Sequence, residues 1–144
     1  MTRIVDIYRA RWRIEEYFKA IKTGCEFEKR QLQDFESLTN LLATFIPIAY
    51  RLLLLRSEVT RAPDQPASAV LSTAQLDVLR ARGRLKLPAE PTLRDAYLAI
   101  AALGGHIKYS GNPGWLTLAR GYEKLELLVE GWLAAKLQPG RDQG

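Results

Sequence analysis

Apolar residues recur at helical spacing along most of this chain, and no stretch of useful length alternates apolar and polar residues as a strand would. Between Ile4 and about Gly24, one sector collects a set of apolar side chains: Ile7, Ile14, Phe18 and Ile21. The opposite side is charged and includes Arg9, Arg13 and Glu16. This pattern predicts an amphipathic helix that ends near Gly24 and packs its apolar sector against a core.

A long apolar helix is predicted next, with Ser37 as its cap and about Val59 as its end. Pro47 lies near the middle, where it would kink or break the helix. The longest apolar run, Leu41–Leu55, is shorter than the ~20 residues that a membrane span needs. We therefore expect a buried core helix and no contact with a membrane.

Capping residues predict two shorter helices in the next part of the chain. Ser72 or Thr73 begins a helix that ends at Gly83, and Thr92 begins another that runs to Leu103 and stops at a Gly-Gly pair. At the end of the first of them lies a local basic cluster, interpreted as a solvated helix end and loop: Arg80, Arg82, Arg84 and Lys86.

The last predicted helix begins after Asn112 and Pro113 and reaches about Leu137. It carries a heptad seam with large aromatic residues at both ends: Trp115, Leu118, Tyr122, Leu125, Val129 and Trp132. Such a seam usually meets another helix, so we expect these residues to form a dimer interface. Packing within the chain alone is the alternative.

These elements predict an all-α fold in three parts. Residues 1–59 hold the first two helices, and the Pro-containing segment 60–71 is the best linker candidate. Residues 72–144 form a C-terminal helical domain.

The charge of the chain favours an anionic partner, since the net charge is +5 and the pI is about 9.5. Residues 1–30 hold eight Lys or Arg against five Asp or Glu, so +3 of this charge lies in the first helix and just after it. The single cysteine, Cys25, excludes an internal disulfide, and with only His106 beside it the usual zinc spacings are excluded too. We expect a cytoplasmic chain in which Cys25 packs and His106 is structural.

Four residues of the first helix set out the pattern Y-(2)-R-(3)-E-(6)-K: Tyr8, Arg11, Glu15 and Lys22. Their spacings of 3, 4 and 7 place the side chains within about 60° of one another on a regular helix. We call these four residues, together with the neighbouring Lys19, the stripe. A carboxylate among a phenol and cations can hold a metal ion between phosphate contacts.

The segment YRARWRIEEYFKAIKTG (8–24) resembles the signature of bacterial DDE transposases of the IS-four and Tn-five group. All four letters of the family pattern match at their spacings, as do the RW-x-IEE core and the Lys-Thr-Gly ending. Residues 96–108 and 114–136 resemble the dimerisation region at the C-terminus of that family.

The resemblance implies a role for each residue of the stripe. Glu15 would be the third metal-binding carboxylate of a site for Mg²⁺ or Mn²⁺, and Tyr8, Arg11 and Lys22 would contact phosphates of transposon-end DNA, with Lys19 adding to them. Trp12 lies beside the stripe and could touch DNA, although core packing is the favoured interpretation.

A complete enzyme of this group has an RNase H-like sheet that carries two aspartates and precedes the motif helix, whereas only seven residues precede Tyr8 here. Asp6 is no substitute, because it lies on the same helix as Glu15. We therefore expect the C-terminal portion of a transposase that does not cleave DNA alone and holds no metal tightly.

A different class of function remains open: a dimerisation and DNA-binding module, without catalysis, that pairs with itself or with a full-length transposase and inhibits it. A basic helical protein with an accidental motif is a third interpretation. Under the first two, the chain belongs in the bacterial cytoplasm.

Overall fold

The computed structural model describes residues 2–24, 26, 34–107 and 111–137. These residues form five α-helices and no β-sheet: α1 (Thr2–Lys19), α2 (Phe35–Arg61), α3 (Thr73–Arg82), α4 (Leu93–Leu103) and α5 (Trp115–Leu137). A π-helical turn, Ala20–Gly24, extends α1, and a short 3-10 helix, Ala67–Ala69, lies between α2 and α3. The predicted all-α fold is confirmed.

Helix α2 begins earlier than predicted because Asp34, and not Ser37, is its cap. The Asp34 carboxylate accepts hydrogen bonds from the backbone N–H of Ser37 at 2.7 Å and from its hydroxyl at 2.8 Å. These bonds also lower the pKa of Asp34, so the cap is ionised where the helix dipole favours a negative charge. Pro47 neither ends nor splits the helix, which continues to Arg61.

The predicted starts of α3 and α4 are confirmed, and both are capping boxes. In α3 the Gln75 N–H donates to the Ser72 hydroxyl at 3.2 Å, while the Ser72 N–H donates to the Gln75 side chain at 2.8 Å. Thr92 and Asp95 make the same reciprocal pair at 3.2 and 2.9 Å. Each box satisfies two backbone donors that the first turn of a helix leaves unpaired.

Helix α4 ends in a Schellman motif. The His106 N–H donates to the Ala101 carbonyl at 2.9 Å, and the Gly105 N–H donates to the Ala102 carbonyl at 3.1 Å. Gly105 has a φ of +99°, which a residue with a Cβ rarely adopts. The backbone of His106 therefore closes the helix, and the structural role of its side chain stays a prediction.

Helix α5 is the central element, since it packs against α3, α4, α2 and the π turn. Five residues of the predicted seam are buried inside the chain: Trp115, Leu118, Tyr122, Leu125 and Val129. The sixth, Trp132, is partly buried against the same core. The seam thus packs intramolecularly, which was the alternative to a dimer interface. Homodimerisation stays a prediction. Helix α5 also carries exposed leucines: Leu127, Leu128, Leu133 and Leu137.

The backbones of α4 and α5 touch where two glycines meet. A Cβ placed on Gly121 would lie 1.9 Å from the Ile100 carbonyl oxygen, and one on Gly104 would lie 1.8 Å from the Thr117 carbonyl oxygen. No side chain fits at either position. The two helices are therefore closer together than any other residue pair would permit.

The predicted linker, 60–71, contacts the start of α4 through its backbone. The Ala67 N–H donates to the Pro91 carbonyl at 2.8 Å, and the Leu93 N–H donates to the Gln65 carbonyl at 2.7 Å. The side chains of Ala67 and Leu71 are buried in the same core as α5. The division into domains at this segment stays a prediction.

A cavity of about 500 Å³ between α2, α3 and α5 holds a polar network. Gln75, only 7% exposed, donates from Nε2 to the Glu126 carboxylate at 2.6 Å and to the Tyr122 hydroxyl at 3.3 Å. Arg51 donates to the same hydroxyl at 3.4 Å. Burial raises the pKa of Tyr122, so this hydroxyl stays protonated over the physiological range. The groups satisfy one another, which indicates a structural role.

Helix α2 is long and apolar enough to cross a membrane by length and composition, with a mean hydropathy of 1.6 over an 18-residue window. Only 22% of that window is buried, through a face that includes Phe45, Ala49, Leu52 and Leu55. A core helix meets the same criteria. The expectation that the chain avoids membranes stays a prediction.

Replacing Gly121 with alanine tests the contact between α4 and α5. We expect Gly121→Ala to lower the free energy of unfolding by about 1–3 kcal/mol or more, because the helices must separate to admit the methyl group. Gly131→Ala is the matched control on the same helix, since nothing lies within 4 Å of its added Cβ and alanine favours helix. Urea unfolding followed by circular dichroism measures both. Equal stability of the two variants would contradict the close contact.

Candidate nucleic-acid interface

Helix α1 brings three residues of the stripe together on its solvent side. Tyr8 is 69% exposed, and Arg11 Nε lies 3.4 Å from Glu15 Oε1 in an exposed ion pair. The guanidinium carbon of Arg11 lies 6.0 Å from the centre of the Tyr8 ring. Lys19, the last residue of α1, is exposed as well. Phenol, guanidinium, carboxylate and ammonium groups are therefore all open to a large ligand.

Lys22 lies in the π turn and not in a regular helix, so the prediction of one uniform helix to Gly24 is wrong in its last turn. A π turn pairs residue i with i+5 and rotates less per residue than an α-helix, which shifts Lys22 around the axis relative to Glu15. Lys22 is exposed, whereas Ala20, Ile21 and Gly24 face inward.

The inner side of the π turn is fixed by α5. A Cβ on Gly24 would lie 3.4 Å from both the Ala119 Cβ and the Trp115 carbonyl oxygen, so the turn rests closely on the first part of α5. Single π turns inserted into α-helices are frequent at functional sites. Here the turn carries the last residue of the stripe.

The apolar sector predicted for the core is largely exposed. Its residues Ile7, Ile14 and Phe18, with the nearby Ile4, are between 54% and 76% exposed, and only Ile21 is buried. The reason is that α1 packs on α2 through a different side, which includes Tyr17 and the polar residues around Arg13.

Trp12 lies at the edge of that packed side and is 62% exposed. The favoured prediction, that Trp12 packs in the core, is therefore wrong. Its indole ring borders a cleft between α1 and α2 that the sequence did not reveal.

Two arginines of that cleft, Arg56 and Arg61, come from α2 and were missed. The sequence analysis treated α2 as an apolar core helix. The basic residues in the second half of α2 were the one sequence feature that could have indicated a charged cleft there. The basic cluster at the end of α3, in contrast, is exposed and agrees with its interpretation as a solvated helix end and loop. Arg80 is bonded locally to Asp77 at 3.3 Å and to the Ala89 carbonyl at 3.0 Å.

The donors around Glu15 do not make a complete metal site. Within the part of the chain that the structure describes, no three His, Cys, Asp or Glu side chains lie close enough to hold an ion. Glu15 offers one carboxylate next to a guanidinium, whereas Mg²⁺ or Mn²⁺ needs several oxygen ligands. Cys25 lies outside the described residues.

Residues 1–50 match the protein family described as Transposase DDE domain. The match spans α1, the π turn and the first part of α2, and it therefore contains the whole stripe. It covers about a third of the 144 residues. Over this region, the match supports a relationship to DDE transposases.

Proposed function

We propose that this chain is the C-terminal part of a cut-and-paste DNA transposase of the IS-four and Tn-five type, and that it contacts transposon-end DNA through α1. The observation that carries the proposal is the exposed stripe inside the region that matches the transposase family. Neither the match nor the pattern alone would locate the DNA on a particular side of the helix.

The stripe suits backbone phosphates more than bases. Arg11 offers a planar fork that can bind one phosphate through two hydrogen bonds, and Lys19 and Lys22 act as point charges. The Tyr8 hydroxyl adds a neutral donor. Such contacts position a protein on DNA without reading its sequence, so the transposon-end sequence is recognised elsewhere.

Glu15 takes the role of third metal-binding carboxylate in the complete enzyme under this proposal. The ions would supply activation of the attacking oxygen, and the two remaining carboxylates must come from another segment. The exposed part of the apolar sector of α1 supports this, because Ile7, Ile14 and Phe18 offer a surface for a further part of the enzyme.

A second candidate is a module without catalysis that pairs with itself or with a full-length transposase. The single carboxylate of the stripe favours it, since DNA binding needs only the cations. The exposed leucines of α5, among them Leu127 and Leu133, are the surface that we assign to pairing.

Removing two cations of the stripe tests the DNA contact. We expect Arg11→Ala/Lys19→Ala to weaken binding of duplex DNA about tenfold and to reduce the slope of log K against log salt by about 1.8, since each lost phosphate contact accounts for about 0.9. Fluorescence anisotropy at several salt concentrations measures both quantities.

The matched control for that variant is Arg94→Ala/Lys86→Ala, which removes one arginine and one lysine from exposed positions outside α1. An equal loss of affinity in this control would mean that DNA affinity depends only on the net charge of the chain. That result would contradict the proposed interface.

Replacing Glu15 with glutamine tests its position among the cations. In metal-free buffer we expect Glu15→Gln to tighten DNA binding about 1.5- to 5-fold, because an exposed ion pair contributes about 0.2–1 kcal/mol and its loss frees Arg11 for phosphate. Glu90→Gln, an exposed control with the same charge change, should have a smaller effect. Weaker binding by Glu15→Gln would contradict the assignment.

The isolated chain should not cut DNA. With Mg²⁺ or Mn²⁺ and transposon-end DNA, a nuclease assay on gels should show intact substrate, because one exposed carboxylate cannot hold two ions. Cleavage that disappears in Glu15→Ala would overturn this expectation and favour a complete active site.

A further inference from the structure

Arg56 of α2 contacts the start of α5 and lies close to α4. Its guanidinium carbon is 4.5 Å from the centre of the ring of Trp115, the first residue of α5. Burial raises the pKa of Tyr97 on α4, and the positive charge of Arg56 acts in the opposite direction, so the phenol is near the guanidinium. Trp115 and Tyr97 are only 6% and 7% exposed. The side chain of Arg56 therefore links three helices.

The stack on Trp115 is the main attachment of this guanidinium. No carboxylate within the described ranges pairs with Arg56, and Glu58 pairs with Arg61 instead. The Arg56 Nη1 atom is buried and has no hydrogen-bond partner among the residues that the structure describes. An apolar side chain at position 56 would avoid the cost of burying an unpaired N–H group. What arginine adds here is a planar cation on the indole, which fixes the orientation of the ring.

Trp115 supports the π turn through its backbone. A Cβ on Gly24 would lie 3.4 Å from the Trp115 carbonyl oxygen, so the end of the turn rests directly on the first residue of α5. Two residues of the turn, Ala20 and Ile21, are buried in the same core. Lys22 belongs to this turn and is exposed. A displacement of Trp115 is therefore passed to the backbone that carries Lys22.

Arg56 also borders α1 itself. It lines the cleft of about 490 Å³ between α1 and α2, and Trp12 and Arg13 form part of the opposite wall. Helix α1, which carries the rest of the stripe, continues into the π turn without a break. One side chain thus borders α1 across the cleft and supports, through Trp115, the turn that follows it.

We propose that Arg56 is a positioning residue of the DNA interface. Its stack on Trp115 fixes the π turn and thereby the place of Lys22 relative to Arg11, so that both cations meet phosphates of one duplex. The inference rests on the proposed function, which assigns DNA to the stripe. It adds a residue that acts on the interface from another helix without touching the DNA.

A double-mutant cycle between Arg56 and Lys22 tests this role. We expect Arg56→Met to weaken binding of duplex DNA about three- to tenfold and to reduce the slope of log K against log salt by about 0.9, because the phosphate contact of Lys22 is lost. Lys22→Ala should have the same effect. Arg56→Met/Lys22→Ala should bind no more weakly than Lys22→Ala alone, since both changes remove one contact. Losses that multiply would mean that Arg56 acts independently of Lys22 and would overturn the proposal.

Arg56→Lys separates the stack from the charge. Lysine keeps the positive charge but has no planar group to lie flat on the indole. We expect this variant to bind duplex DNA at least about twofold more weakly than the unmodified chain. Full affinity would mean that charge alone is required and would overturn the positioning role. Circular dichroism and urea unfolding establish that each variant is folded.

The matched control is Arg51→Met, which removes the same charge from α2. The guanidinium of Arg51 donates to the Tyr122 hydroxyl at 3.4 Å and borders the cavity between α2, α3 and α5. We expect its loss to leave the salt slope unchanged. A slope reduced as much as in Arg56→Met would mean that DNA affinity follows the net charge of α2, and would overturn the proposal.

Backbone NMR of the chain without DNA measures the effect on the π turn. Arg56→Lys should shift the amide signals of Lys22 and Gly24 more than that of Gly83, which lies at the end of α3. Unchanged signals at Lys22 and Gly24 would overturn the link through Trp115, whatever the DNA affinity of the variant.

The stripe variant Arg11→Ala/Lys19→Ala separates this inference from the proposed function. If it loses duplex binding while both Arg56 variants bind as tightly as the unmodified chain, the inference fails and the proposed function stands. If the stripe variant keeps full affinity for duplex DNA, the proposed function fails and the inference fails with it.

Discussion

The backbone contact between α4 and α5 at Gly104 and Gly121 is the constraint on which the rest of the structure depends. It brings α5 against α4, and α5 then provides the buried residues on which α3 and the π turn pack. The π turn meets α5 at Gly24 and directly continues α1. The direction in which α1 presents its stripe therefore depends on the glycine contact through α5 and the π turn, together with the packing of α1 on α2.

Local signals predicted much of the fold. The starts of α3 and α4 were readable because a capping box needs only residues three apart, as in Ser72 with Gln75. The start of α2 was misplaced because Asp34 and Ser37 are both good caps, and only their mutual hydrogen bonds show which one precedes the helix. The π turn was missed because it packs on α5, far away in sequence, and periodicity carries no such information.

At the candidate sites too, the sequence predicted relations within one helix but not relations between helices. Spacing on one helix placed Tyr8, Arg11 and Glu15 together, because that relation is internal to α1. It could not say which side of α1 faces α2, so the apolar sector was expected in the core and Trp12 was misassigned. The cleft between α1 and α2 could not be predicted either, because it exists only where these two helices pack together. For the same reason, the sequence showed that the seam of α5 is apolar but not that it packs against helices of the same chain.

A titration of the isotopically labelled chain with duplex DNA, followed by backbone NMR, tests the central claim that α1 carries the DNA interface. The account predicts that the largest shift changes occur at Tyr8, Arg11, Glu15 and Lys19 and that the basic residues at 80–86 stay unchanged. Changes concentrated at 80–86 or along the exposed leucines of α5, with α1 unaffected, would contradict it.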